Sequence, residues 1–230
     1  MNIQGLQKTT LLDYPNLMAA TIFVGGCNFC CPFCHNEEWI DNKKDSIYSD
    51  EEILAFLEKR KNILQGLCIS GGEPTLQPDL HAFIKKIKEK TLLKIKLDTN
   101  GYRPEVLKKL LDDQLLDYVA MDIKASKDEY EKLAGIKPLA FERIEESMAL
   151  LKNSGISYEF RTTFVKGLHS LDQITALAKL VDGCQQLYIQ NFREFRDEKN
   201  SLQAPFSEEE LKEIEAVLKS QNINCQIRSI

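Results

Sequence analysis

The sequence predicts an α/β fold of the partial (β/α)6 TIM-like barrel type, with parallel strands. Three observations predict it. Short β-rich runs recur six times with amphipathic stretches between them, and a crossover helix returns each strand in the same direction. The chemically unusual residues gather where those runs end, as they do at the carboxyl ends of parallel strands. The length, 230 residues with 43% hydrophobic, suits one core of this size, and six units are too few for a closed eight-unit barrel. The reading is therefore a single domain over 1–230, with a short N-terminal extension at 1–18.

The elements follow in order. Ala20-Thr21-Ile22-Phe23-Val24 is a β-rich run stopped by Gly25-Gly26. Ser49 and Glu52 have capping-box spacing ahead of Ile53, Leu54, Phe56 and Leu57 on one helical face. Leu67-Cys68-Ile69-Ser70 is a buried strand ended by Gly71-Gly72, and Leu80, Phe83, Ile84 and Ile87 share the next helix face. Lys94 to Asp98 alternates as a strand and stops at Asn100-Gly101. Pro104 opens a helix with Val106, Leu107, Leu110 and Leu111 as its stripe. Asp117 to Ile123 is a strand; Ile144, Met148 and Leu151 mark a helix stopped by Gly155. Ser157 to Val165 is a strand, Leu171, Ile174, Leu177 and Val181 a helix, and Leu187 to Gln190 the sixth strand. Ser207 and Glu210 repeat the capping box before Leu211, Ile214 and Val217, and Cys225 to Ile227 is a last short strand.

Charge and composition exclude several classes. A net charge of −5 gives no basic face for nucleic acid. No run of about 18 apolar residues could span a membrane, and Met1 to Thr10 lacks an apolar signal region, so a cytoplasmic protein is expected. Four of the seven cysteines crowd into residues 27 to 34, which in a reducing compartment points to a metal and not to disulfides.

That crowd is Cys27-Asn28-Phe29-Cys30-Cys31-Pro32-Phe33-Cys34. Cys27, Cys31 and Cys34 have C-x3-C-x2-C spacing, and three thiolates on one loop suit three corners of an iron–sulfur cubane. An iron left without a protein ligand could take a substrate. The spacing alone also allows a zinc knuckle completed by Cys30 or His35.

C-x3-C-x2-C with Phe33 before the last cysteine resembles the hallmark of the radical S-adenosylmethionine (SAM) superfamily, and Gly71-Gly72-Glu73-Pro74 resembles its GGE motif. Within that superfamily the chain is similar to the glycyl-radical enzyme activases through Asp13-Tyr14-Pro15, Cys34-His35-Asn36, Asp98-Thr99-Asn100-Gly101 and Asp122-Ile123-Lys124. It most resembles the longer type of anaerobic ribonucleoside-triphosphate reductase activating proteins. It departs from them at Asn16, where glycine is usual, and at Cys30, where a basic residue is common.

The resemblance implies a [4Fe–4S] cluster on Cys27, Cys31 and Cys34 and SAM bound by Phe33, Gly71, Gly72, Glu73, Asp98, Asp122, Lys124 and Arg161. It also implies a monovalent cation at Asp98, Thr99, Met121 and Asp122. Two carboxylates brought together repel unless a cation lies between them; turn chemistry is the plain alternative for Asp98, as a surface ion pair is for Lys124 and Arg161. The implied activity is reductive cleavage of SAM, then hydrogen abstraction from a glycine of a partner such as anaerobic ribonucleotide reductase. The implied electron donor is a flavodoxin or ferredoxin. No second cysteine set lies between Cys34 and Cys68, so no ferredoxin-like insertion is expected. Gln190 and Asn191 fall where a ribose contact is common in the family; Phe29, Phe33 and Trp39 could shield a radical from water. A 7-carboxy-7-deazaguanine synthase-like enzyme acting on a small molecule is the alternative.

Overall fold

A computed structural model describes residues 1–41, 44–193 and 203–228. The chain divides into two compact units. The first comprises residues 1–28, 36–120 and 143–157; the second comprises 29–35, 121–142 and 158–230.

The first unit carries β1 (Ile3–Thr10), β2 (Ala19–Val24), α1 (Asp50–Arg60), β3 (Gly66–Gly71), α2 (Leu80–Lys90), β4 (Lys94–Thr99), α3 (Pro104–Asp112) and the start of β5 (Tyr118–Asp122). Its strands lie in chain order. β2 pairs parallel with β3, and β3 with β4, as expected from the alternating runs. Ile22, Leu67, Ile69, Ile95 and Leu97 are fully buried, because parallel strands are covered on both faces.

The expected N-terminal extension contains a strand. β1 lies antiparallel to β2 with two register irregularities. Its burial pattern loses alternation over Leu6 to Thr9, which is why its sequence does not read as a strand. The Asp13-Tyr14-Pro15 segment fixes this hairpin. Thr21 Oγ1 donates to Asp13 at 2.6 Å, and Tyr14 packs so closely on Gly66 that a Cβ there would meet the ring at 2.8 Å. Asn16 adopts φ 62°. Asparagine tolerates this left-handed conformation, which is also one that glycine adopts readily.

The second unit carries the end of β5, α4 (Tyr130–Ala134), β6 (Ser157–Phe164, entering at Tyr158), α6 (Leu171–Val181), β7 (Leu187–Asn191), α7 (Glu208–Ser220) and β8 (Cys225–Ile227). α5 (Phe141–Asn153) runs mainly in the first. β6, β7 and β8 pair parallel in chain order. On α7 the buried stripe closes with Leu218 instead of Val217, and Leu171, at the first position of α6, is exposed. Fully buried Glu159 accepts two hydrogen bonds from Arg228, at 2.6 and 2.9 Å, and the guanidinium stacks 3.3 Å over Tyr188. This bidentate pairing is what permits a carboxylate inside the sheet.

Three helices open with complete capping boxes, at Ser49/Glu52, Ser170/Gln173 and Ser207/Glu210. Ser207→Ala is expected to lower stability by about 1 kcal/mol, a fall in Tm of about 3 °C by calorimetry. No helix among the described residues is long and apolar enough to cross a membrane.

Candidate functional site

The cysteine loop starts where β2 ends. Gly26, at φ 91°, donates from its N–H to Trp39 O at 2.7 Å, and Cys27 N–H donates to Ile40 O at 3.2 Å. The half-buried Cys27 side chain lies beside Asn100, whose Nδ2 is 4.0 Å from Cys27 Sγ and donates to Asn28 Oδ1 at 2.8 Å.

In the second unit, Cys30 N–H donates to Ala134 O at 2.9 Å, at the end of α4. Gly135 caps that helix at φ 69°, and a Cβ there would lie 2.0 Å from the Cys30 carbonyl oxygen. Only glycine satisfies both the left-handed backbone and the close approach. Cys34 N–H donates to Cys31 O at 3.1 Å, closing a turn with Pro32 at its second position. Cys31 and Cys34 are half-buried, whereas the Cys30 side chain is exposed. Burial pushes the Cys31 thiol up; the Lys124 ammonium opposes this, and the neighbouring Cys34 adds to it.

The Gly-Gly-Glu segment follows β3 in the first unit. Gly71 has φ 114°, and a Cβ there would meet Val24 N at 2.4 Å; at Gly72 it would meet Gly26 O at 2.2 Å. The N–H groups of Gly72 and Glu73 donate to Val24 O and Gly26 O, both at 2.8 Å. Asn36 Nδ2 donates to Gly71 O at 3.0 Å. The Glu73 side chain is fully buried and accepts four hydrogen bonds: from Thr75 N, Thr75 Oγ1, Thr99 Oγ1 and Asn100 N, at 3.0, 2.5, 2.7 and 2.7 Å. Its carboxylate ties the end of β3 to the end of β4. Gly71 O and Glu73 O already accept one hydrogen bond each, from Asn36 Nδ2 and from Leu76 N at 3.1 Å, so the turn offers a ligand's N–H donor the remaining lone pairs of its carbonyls.

At the end of β4, Asp98 accepts from Ser70 Oγ at 3.0 Å and forms an ion pair with the buried Lys96 ammonium. Thr99 Oγ1 also accepts from Gly101 N at 3.1 Å. In the second unit, Asp122 binds two cations: Lys124 Nζ at 3.1 Å and Arg161 Nε at 2.8 Å. Burial works against the Lys124 charge, but Asp122, Cys31 and Tyr130 together outweigh it and hold the ammonium's pKa above its ordinary value. Met121 is fully buried. His169 Nδ1 accepts from Val165 N at 3.1 Å and its Nε2 pairs with Lys124 O at 3.0 Å. Its ring also meets the edge of buried Phe33, with centroids 6.0 Å apart. Burial lowers the His169 pKa, so the imidazole is neutral.

Asn191 is clamped at both amide atoms to Phe206, Gln190 accepts from Thr163, and Trp39 stacks near Phe23 at 4.9 Å between centroids. Phe29 is buried and His35 is exposed near Phe192. Lys96 and His169 are not singled out by the sequence, and Asn36 and Asn100 stand out only as members of the Cys34-His35-Asn36 and Asp98-Thr99-Asn100-Gly101 motifs, without a role. Lys96 had a signal: it lies two residues from Asp98 on one strand, hence on the same face. The other three are brought in by tertiary contacts. A zinc site would hold its sulfurs about 3.8 Å apart; among the described residues no three His, Cys, Asp or Glu side chains are arranged to hold a single ion.

A family model described as the radical SAM superfamily matches residues 21–181. A Methanocaldococcus jannaschii protein, named provisionally as a glycyl-radical enzyme activating enzyme, is 33% identical over 239 aligned residues. The alignment covers 99% of this chain and 96% of that protein. A protein of Sulfurisphaera tokodaii, named provisionally as a GTP 3',8-cyclase, is 28% identical over 210 residues, 88% of this chain and 64% of its own. Among solved structures, a radical SAM methyltransferase from Sphaerobacter thermophilus superposes with a TM-score of 0.74 at 18% identity, over 94% of this chain and 67% of its own. That likeness is one of fold: parallel strands and alternating helices, as the sequence predicts.

Proposed function

The chain belongs to the radical SAM superfamily, and from that membership we propose that it is a glycyl-radical enzyme activase. The observation that carries the reading is the 33% identity to a protein so named, extending along 99% of this chain. The donor set fits a cubane, with three soft, half-buried thiols on one loop and a sulfur-facing amide at Asn100. A [4Fe–4S] cluster on Cys27, Cys31 and Cys34 would supply one electron and an iron without a protein ligand, open to the amino and carboxylate groups of SAM.

The chain's own residues then bind and orient. The carbonyl oxygens of the Gly71-Gly72-Glu73 turn accept from the N–H groups of the SAM amino nitrogen, and the Glu73 carboxylate holds that turn from behind. Lys124 and Arg161, aligned by Asp122, are the cations for the SAM carboxylate or ribose. Phe33, seated on His169, keeps water from the cluster loop. In the balanced reaction, SAM and one electron give methionine and a 5′-deoxyadenosyl radical. The radical takes the Cα hydrogen of a partner's glycine, leaving 5′-deoxyadenosine and a glycyl radical. The electron comes from a donor of the flavodoxin or ferredoxin type, and anaerobic ribonucleotide reductase is the partner the sequence motifs favour.

The test is anaerobic reconstitution with iron and sulfide, then SAM, reductant and anaerobic ribonucleotide reductase. A glycyl-radical doublet in the electron paramagnetic resonance spectrum is expected, with one 5′-deoxyadenosine per radical. No doublet with any glycyl radical enzyme of the host would overturn the reading. Similarity to the GTP 3',8-cyclase favours a second one, a radical SAM enzyme acting on a small molecule. That reading requires turnover without a protein partner.

A further inference from the structure

We infer that the Lys96 ammonium is the built-in counter-ion of Asp98, and that the chain takes no monovalent metal ion at the end of β4. The strand reads Lys94-Ile95-Lys96-Leu97-Asp98-Thr99, so Lys96 and Asp98 share a face. Lys96 is 1% exposed. An ammonium at that depth must be paired or lose its proton. It is paired: Nζ contacts Asp98 Oδ1, lies 3.8 Å from Cys68 Sγ, and sits 6.0 Å from the centre of the Tyr118 ring. Thiol sulfur and ring face are both fit neighbours for a cation.

The residues that resemblance assigns to a monovalent cation do not fit one. Asp98 holds an ammonium and the Ser70 hydroxyl. A metal ion on the same carboxylate would have to compete with an ammonium that is 1% exposed and cannot turn away to water. The Thr99 hydroxyl donates to Glu73 and accepts from Gly101. Asp122 already meets two cations, Lys124 and Arg161. Each aspartate of the set thus has its positive charge supplied by the chain, and Lys96 is the one that bears on Asp98.

The inference concerns the site in the proposed reading, but its test needs neither partner nor radical. Thermal unfolding of the anaerobically reconstituted protein is followed in choline, sodium and potassium chloride at constant ionic strength. Thallium-205 resonance reads cation binding directly. The wild-type midpoint is expected to differ by less than about 1 °C among the salts, with no saturable thallium signal. Lys96→Met is expected to fall by roughly 10 °C in choline and to regain part of that fall, saturably, in potassium. Adding Asp98→Asn to Lys96→Met removes the orphaned charge, so the double variant recovers stability without responding to potassium. If Lys96→Met does not fold, the double variant and the wild-type thallium arm decide. A saturable cation response in the wild type overturns the inference. So does a folded Lys96→Met that is indifferent to potassium, or a double variant no more stable than the single one.

Discussion

Replacing Cys27, Cys31 or Cys34 singly with alanine is expected to abolish the cluster and lower SAM cleavage at least about 1,000-fold, because the source of the electron is lost and not merely one contact. Cys30→Ala is expected to retain both. The four residues lie within eight positions, so the contrast comes from their local setting. The three thiols proposed as ligands are half-buried, whereas the Cys30 side chain is exposed and its backbone is engaged with Ala134 and Gly135. Iron and sulfide content of oxygen-free preparations, with the spectrum of the reduced protein, measures the outcome. A Cys30→Ala protein as depleted in iron as Cys31→Ala would refute the assignment, as would four irons retained by Cys27→Ala.

The second large effect is expected at Glu73, where damage falls on the fold before the chemistry. Alanine there leaves two hydroxyls and two backbone N–H donors without their acceptor inside the first unit. The expected loss is about 4 kcal/mol, roughly 10 °C in Tm. Glu73→Gln retains an oxygen for the two threonines but turns an amide against Asn100 N–H, for about 2 kcal/mol. Burial raises the Glu73 pKa; the hydrogen bonds from Asn100, Thr75 and Thr99 oppose that rise without cancelling it. A carboxyl raised in the folded state contributes its full stability below the ordinary carboxylate pKa. It loses that contribution as pH rises through the folded value. The stability advantage of wild type over Glu73→Gln is therefore expected to shrink with rising pH in that window. Urea unfolding across a pH series tests this, and a growing advantage would contradict it.

Most of the strands and helices could be read from periodicity, because parallel strands and amphipathic helices bury residues at fixed intervals. The capping boxes at Ser49 and Ser207 marked two helix starts to the residue. β1 was illegible: an edge strand with two register irregularities keeps polar residues where alternation calls for apolar ones. Leu171 was misplaced because the first position of a helix need not face the core, and Val217 because Leu218, seven residues after Leu211, completes the stripe. The cysteines and the Gly-Gly-Glu segment stood out by residue type and spacing. What holds them could not be seen: Asn36 on Gly71 O, Asn100 beside Cys27 and His169 behind Phe33 are tertiary contacts between residues far apart in sequence.

The cysteine loop is moored by main-chain bonds at Gly26, Cys27, Cys30 and Cys34, none of which involves a sulfur atom. Small zinc domains collapse when stripped, since their ligands are also their scaffold. Here ligation and architecture are separable. With a cubane on these thiols, its loss to air is expected to leave the seat in shape, so that fresh iron and sulfide restore it without a round of refolding.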